Sequence, residues 1–111
     1  LHAPPGIPVD IGPGATIGHA CVVHGAHIGA DAVVANHATV LDGVIIGARS
    51  LVAAHALVVP GTKIPDEVVV AGAPAKIRGP VAGTGAERWV KTSSEIYREL
   101  ALRYRAGLKE M

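Results

Sequence analysis

The chain has 111 residues, half of them apolar, with 3% aromatics, no Phe and a formal charge of +1. That length allows a single domain, the near-neutral balance offers no patch for nucleic acid or an anionic membrane, and no apolar run reaches the ~20 residues of a spanning helix. One Cys excludes a disulfide framework, which makes a cytoplasmic location the default expectation.

The chain opens on Leu1-His2-Ala3-Pro4-Pro5-Gly6, which reads as the middle of a repeat followed by a loop. A solenoid starting there would expose a bare apolar end, so further N-terminal coils of a longer chain are expected before Leu1.

From Ile11 to about Val70 an aliphatic residue recurs at six-residue steps: Ile28, Val34, Val40, Ile46, Val52, Val58, Ile64 and Val70. Four residues after most of these stands a small one, at Ala32, Ala38, Ser50, Ala56 and Thr62. No helix has this period, and it reads as short strands joined by corners and stacked into an all-β solenoid of hexapeptide repeats. Both the aliphatic and the small residue point inward, and Gly takes corners where a Cβ would clash. Upstream, Ile11 and Ile17 keep the step, Val22 comes one residue early, and Ile28 resumes it; Ala15, Cys21 and Ala26 fill the small inward slot. Cys21 is therefore expected to be a buried small hydrophobe and not a nucleophile. With three hexapeptides to a coil, three to four coils are visible.

The repeat runs out in Ala71-Gly72-Ala73-Pro74-Ala75-Lys76, which bounds a β-helix over residues 1–78. Gly79-Pro80 and Gly83-Thr84-Gly85 mark residues 79–91 as a linker. Thr92-Ser93-Ser94-Glu95 fits a capping box, and Tyr97, Leu100, Ala101, Tyr104 and Leu108 fall on one helical face, so a C-terminal α-helix is expected over 92–108, packed on the outside of a β-helix.

Six His residues punctuate the repeat. His27, His37 and His55 read as surface or subunit-contact residues. His19 and His24 stand two residues after Ile17 and Val22, on successive faces of one coil, so one subunit cannot easily bring both to one metal. His2 precedes His24 by about one coil plus the Pro4–Pro8 insertion, which puts those two on one face a coil apart. With His19 from an adjacent subunit, three neutral imidazoles and an open position would form a catalytic zinc site; unrelated surface histidines would show the same spacing.

Leu1-His2-Ala3, Ile17-Gly18-His19-Ala20-Cys21-Val22-Val23-His24-Gly25, Val40-Leu41-Asp42-Gly43 and Ala71-Gly72-Ala73-Pro74-Ala75-Lys76 resemble the gamma-class carbonic anhydrases over nearly the whole chain. The resemblance implies a left-handed parallel β-helix, assembled as a homotrimer with metal sites at the interfaces, His2 and His24 binding from one subunit and His19 from the next. It implies a zinc-dependent lyase, Zn2+ being replaceable by Fe2+ or Co2+, which hydrates carbon dioxide to bicarbonate through a metal-bound hydroxide. The family's long acidic loop after the first His is missing, and Val34-Ala35-Asn36-His37 replaces its usual Ile-Gly-Met-Gly. The alternatives are a hexapeptide acyltransferase, with one His as general base and a coenzyme A channel between subunits, and a non-catalytic metal-binding or scaffolding trimer.

Overall fold

The structure is a computed structural model that describes residues 9–110, with side chains through Ile96 and that of Glu99. Strands of two residues follow one another in threes: β1 (Asp10–Ile11), β2 (Thr16–Ile17) and β3 (Val22–Val23), then β4 (His27–Ile28), β5 (Val33–Val34) and β6 (Thr39–Val40), then β7 (Ile45–Ile46), β8 (Leu51–Val52) and β9 (Leu57–Val58). A partial fourth coil holds β10 (Lys63–Ile64) and β11 (Val68–Ala71); β12 (Lys76–Pro80) and the helix α1 (Gly85–Glu110) follow. The strands stack into three faces of a prism. The first is β1-β4-β7-β10, the second β2-β5-β8-β11 with β12 beyond it, and the third β3-β6-β9. All pairs are parallel except β11 with β12. This is the left-handed β-helix of hexapeptide repeats, closed by a C-terminal helix.

The six-residue beat is the core. Ile28, Val34, Val40, Ile46, Val52, Val58 and Val70 are buried inside the prism, with Ala32, Ala38, Ser50 and Ala56 in the small slots between them. Each aliphatic so buried contributes roughly 1.5–3 kcal/mol. Cys21 packs against this core half-buried, its thiol directed to the Ala35 carbonyl at 3.0 Å.

The corners explain the rest of the repeat. Ala32, Ala38 and Val44 donate their N–H to the carbonyls of Gly29, Ala35 and Leu41, and the residue before each donor has positive φ: Asp31 at 58°, His37 at 62° and Gly43 at 73°. That is a type II turn, which favours Pro second and Gly third, as in Pro13-Gly14 and Pro60-Gly61. Gly29 has a different reason: a Cβ there would lie 2.6 Å from the Ala48 backbone nitrogen of the next coil.

Three expectations are corrected. The inward residue of β3 is Val23, at 0% exposure, while Val22 points out at 49%. The short step therefore lies after Val23, in the His24-Gly25-Ala26 corner, not between Ile17 and Val22. The helix begins at Gly85 rather than 92. Thr84 caps it, its Oγ1 accepting from Ala86 N–H at 3.2 Å, while Glu87 Oε2 accepts from Gly83 N–H at 2.9 Å; both residues fall in the stretch expected to be linker. The expected boundary between β-helix and linker, at residue 78, falls inside β12, which pairs with β11 as a hairpin. Val90 and Ala86 pack α1 onto the second face against Val33, Leu51 and Val81. The side chains of Tyr97, Leu100, Ala101, Tyr104 and Leu108 lie outside the described residues.

Candidate functional site

The short corner brings His24 to Asp42. His24 N–H bonds to the Val40 carbonyl, in the role that Leu41 N–H plays toward Val58, and Gly43 N–H bonds to the Gly25 carbonyl. His24 thus stacks on Leu41 and Gly25 on Gly43. Asp42 is the residue without a counterpart in the coil above, and its Oδ1 accepts from His24 Nδ1 in a short, half-buried contact. A carboxylate only accepts, so Nδ1 carries the proton and the basic lone pair sits on Nε2. The dyad occupies the corner between the third and first faces. Val22 and Val59 on its third-face side, and Ile45 on its first-face side, are apolar and 41–49% exposed.

A second pair lies three residues on. His27, pointing out from β4, has its Nδ1 2.7 Å from Asp10 Oδ2 on β1, its register partner. His37 and His55 stack at 5.0 Å between ring centroids, nearly parallel, at equivalent positive-φ positions of successive corners. Both are exposed. Neither partnership was read from the sequence, although separations of 17 and 18 residues are one coil and would have signalled them.

The expected ligand set takes His2 and His24 from one subunit and His19 from the next. His19 is exposed at the corner between the second and third faces, its N–H donating to Asn36 Oδ1 at 2.7 Å. His24 stands at the far edge of the third face, and His2 lies outside the described residues. Among the described residues no three His, Cys, Asp or Glu side chains are grouped to hold a metal ion.

No family model and no curated protein matches the chain. Solved structures do. A presumed acetyltransferase of Bacillus cereus is 28% identical, with a TM-score of 0.83 over 95% of this chain and 60% of its own. A hexapeptide transferase family protein of Anaplasma phagocytophilum is 26% identical, with a TM-score of 0.71 over 86% of this chain and 61% of its own. A variant of the perosamine N-acetyltransferase of Caulobacter crescentus, solved with CoA and GDP-perosamine, is 36% identical over 64% of this chain and 33% of its own, at a TM-score of 0.61. The chain thus spans about 60% of the first two proteins and a third of the last. Its fold is the hexapeptide-repeat left-handed β-helix that these transferases share. The zinc expectation is overturned: the perosamine N-acetyltransferase among these neighbours was solved with CoA, and the described residues offer no metal group. Carbonic anhydrase membership is not shown by any of these likenesses.

Proposed function

We propose that the chain is the β-helical part of an acetyl-CoA-dependent acetyltransferase in which His24 is the general base and Asp42 orients it. The His24–Asp42 dyad carries this reading, supported by the 36% identity to an N-acetyltransferase solved with CoA. With an acetyl thioester as donor substrate, an amine or hydroxyl of the acceptor attacks the carbonyl carbon. His24 Nε2 takes the proton from that nucleophile, and Asp42 holds Nδ1–H and stabilises the imidazolium. The proton then passes from Nε2 to the departing sulfur, which leaves His24 neutral for the next turnover.

The corner suits the donor's arm. Val22, Val59 and Ile45 offer exposed apolar surface to a chain of methylene and amide groups, and Lys63, next to Ile45 in the outward row of the first face, offers a cation to phosphate. A homotrimer belongs to the same reading, because exposed valines and an isoleucine beside the dyad would then be covered by a neighbour. The reading is tested by acetyl transfer from acetyl-CoA to a panel of amino sugars and other amines. Thiol release abolished by His24→Ala supports it, and release that survives His24→Ala overturns it.

A further inference from the structure

Acetyl transfer through His24 leaves one proton without an acceptor when the nucleophile is an amine. An aliphatic amine, with a pKa of about 10, arrives at neutral pH as an ammonium, which has no lone pair to attack with. Conversion of an ammonium and an acetyl thioester into an amide and a thiol releases one proton overall. His24 takes a proton from the attacking nitrogen and returns it to sulfur, so it has no capacity for the one that must leave first. A hydroxyl acceptor creates no such surplus.

A second oriented base stands beside the first. His27 follows His24 by three residues around the shortened corner, and its Nδ1 lies 2.7 Å from Asp10 Oδ2. The carboxylate only accepts, so Asp10 holds Nδ1–H and the lone pair is on Nε2, as in His24. The two tethers run in opposite directions along the prism: Asp42 belongs to the coil after that of His24, and Asp10 to the coil before that of His27. In the outward row of the first face His27 stands between Asp10 and Ile45, and Ile45 is the exposed apolar residue on that side of the His24–Asp42 dyad. The titratable groups about His27 among the described residues are Asp10 above it, Lys63 beyond Ile45, and His24 with Asp42 across the corner. The His27 side chain is 47% exposed, against 29% for His24, so a proton taken by His27 has the shorter way to bulk water. A pair as exposed as Asp10 and His27 adds little to the stability of the fold.

We infer that His27 is the acceptor-side base, that Asp10 positions it, and that the acceptor is a primary amine. His27 Nε2 takes the first proton from the ammonium nitrogen and releases it to solvent, and Asp10 stabilises the imidazolium in between. The neutral amine then attacks the thioester carbon, and His24 handles the second proton. The inference rests on the acetyl-transfer reading, to which it adds a substrate class and a second catalytic residue.

The test is transfer from acetyl-CoA by the full chain to paired acceptors, 2-phenylethylamine against 2-phenylethanol and glucosamine against glucose. Transfer should go to the amines. His27→Gln should lower kcat/KM for 2-phenylethylamine at about pH 7 by at least about tenfold, and the loss should shrink toward about pH 9.5, where more of the amine arrives already neutral. Asp10→Asn should act in the same direction by a smaller factor. A merely structural role for His27 would give a loss independent of pH. No transfer to any of these acceptors overturns the acetyl-transfer reading and this inference with it. Transfer confined to the alcohols, or a His27→Gln protein whose kcat/KM for the amine is unchanged or is lowered equally at every pH, overturns this inference alone.

Discussion

His24 and Asp42 meet because the chain is one residue shorter at the corner above than at the corner below. Ile28 follows Val23 by five residues, whereas Ile46 follows Val40 by six. The deletion removes the residue that would have stacked on Asp42, and His24 reaches the carboxylate from the neighbouring position. Restoring the missing residue by inserting one Gly between His24 and Gly25 should therefore break the pair while leaving the coil stacked. Acetyl transfer should fall by roughly 10²–10⁴, the usual worth of a positioned base, with the melting temperature little changed.

Asp42→Asn tests the orienting role without changing shape. An amide can donate to Nδ1 and so favour the other tautomer, with the lone pair turned away from Nε2. Transfer at saturating substrate should drop by at least about tenfold with a nearly unchanged KM. Loss confined to KM would assign Asp42 to substrate binding instead.

Much of the solenoid was legible because each coil repeats one physical problem: a large and a small side chain must share a narrow interior. That constraint writes Ile28, Val34 and Val40 at six-residue steps whatever the neighbours are. The slip was misread because Val22 and Val23 are equally aliphatic, and only the register of β3 with β6 shows which one faces in. That single position propagates to the site, since placing Val22 inward puts His24 in the same slot as His19 and hides its proximity to Asp42. The helix start was missed for a different reason. Thr92 and Glu95 satisfy the capping pattern, but so do Thr84 and Glu87, and the tie is broken by Val90, Ala86 and Ser94, which need helix to reach Val33 and Asp31.

The close approach of coils at Gly47 gives a stability prediction. A Cβ there would lie 2.4 Å from the Pro65 carbonyl carbon and 2.5 Å from the Asp66 nitrogen, both backbone atoms of the next coil. Gly47→Ala should destabilise by about 1–3 kcal/mol, as overpacking does. Gly61→Ala, with no atom within 4 Å of the added carbon but a φ of +78°, should cost about 1–2 kcal/mol from backbone strain alone. Chemical denaturation of the two variants separates clash from backbone strain.

Ser50 is the fully buried polar residue in the small slots, Thr62 being only partly buried. Its Oγ donates to the Pro65 carbonyl at 2.7 Å and accepts from Val68 N–H at 3.3 Å. Ser50→Ala fits the space but strands both backbone groups, which should cost about 1–3 kcal/mol. Ala56→Ser, in the equivalent slot of the following corner, is the control for the hydroxyl's bulk.

Equilibrium binding of coenzyme A to the purified chain tests the acetyltransferase reading most directly. Saturable binding in the micromolar to low-millimolar range, weakened by Lys63→Glu and by Val59→Asp beside the dyad, is the expected result. Absence of binding by a folded, assembled protein at millimolar coenzyme A would contradict it.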